Sequence, residues 1–210
     1  MYWVHRFGRG RRSKEFNDSL DILAMCSLLT DRNCMTVGWL SFTSTTENYN
    51  PNIVNAVEVG NDNQVKNLML NAGRNLNPPI QINAGWARSL VNFTKMKSGD
   101  IVVVLPNKEI FPYFFIVEII SANAKSILNS PQNMTANFNI NGVDFSFSLN
   151  SGWSRLSERF DVGFFHEVKI LADKLPRNLI GNRFNYVRST NSPVYDVSRI
   201  QYIDSLIPKS

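Results

Sequence analysis

The sequence predicts an α+β fold, and three stretches carry that prediction. From Trp86 to Met96 the apolar residues Trp86, Leu90, Phe93 and Met96 recur at helical spacing, which describes a helix with one buried face. Directly after Asp100, Ile101, Val102, Val103, Val104 and Leu105 form an unbroken, mostly β-branched run closed by Pro106, a strand expected to be covered on both faces. Further on, Phe138 and Ile140 face Val143, Phe145, Phe147 and Leu149 across Asn141-Gly142, the strongest hairpin signal in the chain.

In chain order, Tyr2 to Phe7 (YWVHRF) reads as a strand that runs into an Arg-Gly loop. Phe16 to Leu29 reads as a helix with Leu20, Leu23 or Ala24, and Leu28 on one side, and Met35 to Leu40 (MTVGWL) as a short strand. The Ser-, Thr- and Asn-rich stretch from Ser41 to Asn63 is assigned to a surface loop, Val65 to Asn75 to a helix, and Pro78-Pro79 to a break before the Trp86 helix. Lys95, Lys97 and Ser98 lead that helix into Gly99, a residue suited to a left-handed helix stop, and Asp100 caps or tightens the turn before the strand. Asn107-Lys108-Glu109 turns the chain into an aromatic strand over Ile110 to Ser121. A final strand spans Gly163 to Leu171, and the C-terminal segment adds a short helix or an edge strand. The whole is expected to be one domain over residues 1–210, with residues 122–160 as an elaboration of the sheet.

Composition narrows the class. With 43% hydrophobic residues in 210, the chain has enough apolar material for a sizeable core and is not a disordered protein. No apolar run approaches the ~20 residues of a membrane span, and the N-terminus lacks the hydrophobic segment of a secretory signal, so a cytoplasmic location with no membrane partner is expected. In that setting Cys26 and Cys34 are expected as reduced thiols, and their spacing matches no metal site. No cofactor is expected either: the sequence has no H-E-x-x-H, C-x-x-C, G-x-S-x-G or Walker pattern, and GRGRR opens no dinucleotide fingerprint.

The net charge of +5 has a location: Arg6, Arg9, Arg11, Arg12 and Lys14 lie in the first fourteen residues with no acid among them, while the remaining 17 bases are matched by 17 acids. The same segment carries Tyr2, Trp3 and Phe7. Arginine beside aromatic residues suits phosphate contact and base stacking, and a solvated basic loop is the plainer alternative.

The order WVHRFGRG, VGW, W-x3-L-x2-F-x5-GD-IVVV, an aromatic strand ending in IVEI, VKIL and LPRNL resembles the PUA-like superfamily. The resemblance is to the EVE-like modules that form the N-terminal specificity domains of Mrr-type and McrB-type modification-dependent restriction proteins, and it spans Trp3 to about Arg199 as short matches. It implies a strongly bent, partly open β-barrel with flanking helices that binds DNA without catalysis. It further implies that a methylated or hydroxymethylated base is flipped into an aromatic pocket, in a restriction or phage-defence system whose nuclease or motor is another domain or subunit. Flipping costs a few kcal/mol of stacking and pairing, which aromatic surfaces and hydrogen bonds to the base edge return. Carried over position by position, the resemblance assigns the base pocket to Trp3, His5, Trp39 and Trp86, and phosphate contacts to Arg6, Arg9, Arg11, Arg12 and Lys14. Arg177, in LPR, is expected to tie loops together.

The sequence departs from that pattern at His166, where related modules often carry arginine, and at Ile170, where an aromatic residue is frequent, so the pocket wall there is expected to differ. Three other readings stay open. The same fold could bind RNA, or the aromatic hairpin could dock a protein. The tripeptide Glu167-Val168-Lys169 is half of a Mg²⁺-dependent nuclease pattern whose other half is missing: Asp161 is too near in sequence to lie on a neighbouring strand, Asp100 lies far upstream, and Asp144 is a partner only if the hairpin packs beside that strand. His5 and His166 read as strand residues satisfied by hydrogen bonds in preference to catalytic bases. Trp153 could stack on a base or pack the hairpin.

Overall fold

The run Ile101–Leu105 is the middle of the sheet in the computed structural model, which describes residues 1–6, 16–37, 50–72, 84–126, 135–140, 142–148, 163–184 and 191–209. The strands are β1 (Tyr2–Arg6), β2 (Cys34–Val37), β3 (Ile101–Leu105), β4 (Tyr113–Ile119), β5 (Lys125–Ser126), β6 (Thr135–Ile140), β7 (Val143–Ser148), β8 (Phe164–Pro176) and β9 (Asn191–Val194). The helices are α1 (Phe16–Arg32), α2 (Asn50–Glu58), α3 (Asp62–Ala72), α4 (Ala84–Thr94), α5 (Arg177–Ile180) and α6 (Val197–Leu206). Seven strands form one mixed sheet in the order β2-β8-β4-β3-β1-β9, with β5 also on β8. β1 and β3 run parallel, with Trp3 opposite Val102, and the other pairings are antiparallel.

The sheet curls into an open half-barrel, an α+β arrangement of the expected kind. Its bending has local causes. The β4–β8 register shifts twice around Ile116, and β8 passes through Lys174 at φ 46°, a left-handed conformation uncommon for a residue with a side chain.

Alternation along the strands makes two cores. Trp3, Val102, Val104, Phe115 and Val117 face one core, with Leu28 and Leu29 of α1, Ile53 and Val57 of α2, Val65 of α3 and Phe93 of α4. Val4, Val103, Leu105, Phe114 and Ile116 face the other, with Ile180 of α5, Phe184 and Ile203 of α6. β3 is therefore covered on both sides, as its composition predicts.

The Ser41–Asn63 loop assignment needs correction, because Asn50–Glu58 is helical and buries Ile53, Val54, Ala56 and Val57. Those four residues stand at helical spacing, and packing of that stripe outweighs the Asn-rich composition around it. Gly99 also has a different role: α4 ends at Thr94, and Gly99, at φ 86°, sits in the turn where Asp100 N–H donates to the Lys97 carbonyl. β6 and β7 form the expected hairpin, with Gly142 at φ 84°, as a separate two-stranded sheet whose Asn137 N–H donates to Ser27 Oγ of α1 at 2.9 Å. The C-terminal segment supplies both a strand, β9, and a helix, α6. Among the described residues, no helix is long and apolar enough to cross a membrane.

Candidate nucleic-acid interface

Trp3 and His5 of β1 turn inward. Trp3 is 4% exposed, and its indole N–H donates to Asp100 Oδ2 at 2.9 Å. The same oxygen accepts the Lys97 backbone N–H at 3.0 Å, so Asp100 tightens the turn as expected and also anchors the indole. His5 is fully buried, with Nε2 at 2.8 Å from the Thr36 carbonyl and Nδ1 against the side-chain amide oxygen of Asn191, two acceptors that share the proton of the ring. That amide in turn donates to the Ser89 carbonyl at 2.8 Å, which fastens the end of β1 to β9 and α4.

Trp3 and His5 are thus core residues with their polar atoms engaged internally, and as walls of an open base pocket they are corrected by this packing. The pKa of His5 is lowered to about 4 because burial disfavours the imidazolium. His166 is lowered to about 4 for the same reason. Its Nε2 donates to the Phe93 carbonyl at 2.9 Å and its Nδ1 accepts from Ser121 Oγ at 2.9 Å. Phe93 lies between the two imidazoles, at 5.5 Å from His5 and 4.8 Å from His166. Both histidines are satisfied strand residues, as read from the sequence.

Of the other expected pocket residues, Trp39 lies outside the described residues, and Trp86 is placed in the first turn of α4 with its side chain outside them. Arg9, Arg11, Arg12, Lys14 and Trp153 lie outside them as well. Arg6 is described: it ends β1 on the Val4 side of the sheet, half-buried, and its guanidinium donates to the Phe184 carbonyl.

Glu167 of the E-x-K tripeptide pairs with Lys125 at 2.7 Å, and Lys169 stands opposite Glu118 in the β4–β8 register. Among the described residues, no three His, Cys, Asp or Glu side chains are grouped to hold a metal. Cys26 and Cys34 are both free and buried, and burial pushes the Cys34 thiol up to about 11.

The arrangement that does face outward is a cleft of about 290 Å³ between α3 and α4, lined by Asp62, Asn63, Lys66, Arg88, Val91, Asn92 and Lys95. Its construction follows from the helices. Asn61 caps α3 by accepting the Gln64 N–H at 3.2 Å, which sets Asp62, Asn63 and Lys66 along the helix's first turns. Leu90, Phe93 and Val65 bury the facing stripes, which leaves the polar edges of α3 and α4 to form the walls.

Three bases stand there against one acid, and that acid is already engaged. Asp62 Oδ1 accepts Thr94 Oγ1 at 3.0 Å, and Oδ2 lies 4.0 Å from Lys95 Nζ. No carboxylate among the described residues pairs with Lys66 or Arg88. The cleft also borders the end of β1, because Ser89 and Asn92 of α4 both bond Asn191, the partner of His5. In the sequence Lys66, Arg88 and Lys95 are isolated bases, and no local pattern joins them. Comparison with known protein families, with curated proteins and with solved structures finds no match to this chain.

Proposed function

We propose that the chain is a non-catalytic, DNA-binding specificity module of the PUA-like, EVE-like kind, and that the cleft between α3 and α4 holds backbone phosphates. The observation that carries the proposal is the excess of positive charge in that cleft, where Lys66, Arg88 and Lys95 meet a single carboxylate already shared with Thr94 and Lys95. The cleft sits beside the end of β1, from which the chain continues into Arg9, Arg11, Arg12 and Lys14. Cationic side chains free of internal partners release counterions from DNA when they bind phosphates, which gives affinity with a steep salt dependence.

Recognition of a modified base then falls to Trp39 and Trp86, since Trp3 and His5 are committed to the core. Cutting or motor activity in a restriction or phage-defence system is assigned to another domain or subunit.

The test is fluorescence anisotropy with unmodified, methylated and hydroxymethylated duplexes at several salt concentrations. The reading expects nanomolar to micromolar binding at low salt, a steep loss as salt rises, and a preference for one modified duplex that Trp39→Ala removes. Tighter binding to RNA of matched length would transfer the site to RNA, and absence of binding at low salt would refute it.

A further inference from the structure

The α3–α4 cleft is larger than one phosphate needs, and its charges are divided along its length. At about 290 Å³ it reaches the small end of the range for small-molecule sites, roughly 300 Å³. Asp62 marks one end: its Oδ1 accepts the Thr94 hydroxyl at 3.0 Å, which holds the carboxylate at the last turn of α4. From there α3 carries Lys66 one turn onward and α4 runs back to Arg88, about 6 Å and about 9 Å along the respective axes. Both are exposed cations on the cleft wall, and no carboxylate among the described residues pairs with them.

Asp62 is the part that a phosphate alone leaves unused. Its Oδ2 lies 4.0 Å from Lys95 Nζ, outside hydrogen-bond reach, and an exposed pair at that distance is worth little. The carboxylate therefore keeps an acceptor oxygen and a negative charge on the wall, which repels phosphate and suits an N–H donor. Asn92 adds a second acceptor, since its Nδ2 is committed to the Asn191 carbonyl at 2.8 Å and its oxygen remains. Val91 supplies an apolar surface between the two ends. A cationic end and an acceptor end, separated along both helices, describe a ligand with a phosphate at one extremity and an amino group at the other.

We propose that the cleft takes one whole nucleotide, with its phosphate on Lys66 and Arg88 and the exocyclic amino group of cytosine or adenine on Asp62. The proposal rests on the cleft holding phosphate and adds to it a choice of base. A carboxylate accepts from cytosine N4, whereas thymine or uracil presents a carbonyl oxygen at that position, which Asp62 repels. Asp62 is thus the specificity-determining residue, and the cations are indifferent to the base.

The experiment is calorimetric titration of the full chain at neutral pH and constant ionic strength with deoxycytidine and deoxyuridine 5′-monophosphates, ligands of one shape and charge that differ in an amino group against a carbonyl. The expected result is saturable binding with the cytosine nucleotide about tenfold tighter. Asp62→Asn, which still offers Thr94 an acceptor, loses that preference and binds the uracil nucleotide at least as well as the parent, because the repelling charge is gone. Lys66→Ala and Arg88→Ala weaken both nucleotides equally and keep the preference. Single-stranded oligo-dC that binds at least tenfold tighter than the mononucleotide assigns the site to a strand, and parity assigns it to free nucleotides.

Equal affinity for the two nucleotides, or a preference that survives Asp62→Asn, overturns the proposal, while the phosphate reading outlives that result where Lys66→Ala still weakens both. Absence of saturable binding of either nucleotide also overturns it. A duplex salt slope that still becomes shallower in the Lys66→Ala, Arg88→Ala double variant then leaves the phosphate reading intact.

Discussion

The aromatic end of β1 and the α3–α4 cleft lie close together and use polar groups in opposite ways. Around Trp3 and His5 each named polar atom meets another inside the protein: indole to Asp100, imidazole to Thr36 and Asn191, amide to Ser89. In the cleft Lys66 and Arg88 have no carboxylate partner among the described residues, and the single acid is divided between Thr94 and Lys95. Residue type alone points the other way, since tryptophan and histidine beside arginine suggest a ligand pocket. Internal satisfaction of polar groups separates the two regions. A side chain whose hydrogen bonds close within the fold stabilises it, and one left open is available to a ligand.

The sharpest way to break this contrast is to truncate on both sides of it. Trp3→Ala removes a large buried ring and one of the hydrogen bonds to Asp100, which keeps those from the Lys97 N–H and the N-terminal ammonium, and should destabilise the protein by about 3–5 kcal/mol in urea unfolding. Lys66→Ala and Arg88→Ala should each stay within about 0.5 kcal/mol of the parent in the same measurement. Similar stability losses in both regions would erase the distinction.

Acid titration probes the aromatic region by a second route. His5 and His166 hold pKa values of about 4 when folded, against about 6.5 in an unfolded chain. Above pH 6.5 both states are neutral and stability is fully present. As pH falls below that, the unfolded chain takes up protons that the folded one refuses, so stability declines down to about pH 4, by about 3 kcal/mol per histidine. Chemical denaturation at stepped pH should show this decline, and His166→Gln should flatten its share of it. A stability that stays level between pH 6.5 and 4 would mean that these imidazoles are accessible.

The same physical distinction explains which features could be read in the sequence. β3, the β6–β7 hairpin and α4 are legible because hydrophobic periodicity and turn chemistry are local signals, and each of these elements obeys them. α2 is hidden because Asn and Thr around Ile53, Val54, Ala56 and Val57 resemble a loop, and only contact with the rest of the core decides in favour of helix. The burial of Trp3 depends on Asp100, and that of His5 on Asn191, partners far along the chain that no local pattern names. The cleft residues Lys66, Arg88 and Lys95 come from two helices, so their charge adds up only after folding.

Smaller effects sharpen the picture. Asn92 lines the cleft and its Nδ2 donates to the Asn191 carbonyl, so Asn92→Ala should cost about 1 kcal/mol of stability. It should leave the salt dependence of DNA binding unchanged, because no charge is removed. A changed salt slope in this variant would show that the cleft's shape, and not only its charge, governs phosphate contact.

The central claim is that the cleft holds DNA phosphates, and the salt dependence of duplex affinity tests it most directly. For the parent protein and the Lys66→Ala, Arg88→Ala double variant, the logarithm of the binding constant is plotted against the logarithm of salt concentration. Each lost phosphate contact lowers the magnitude of the slope by about 0.9, so the account predicts a slope shallower by about 2 and weaker binding at low salt. Identical slopes for the two proteins would contradict it.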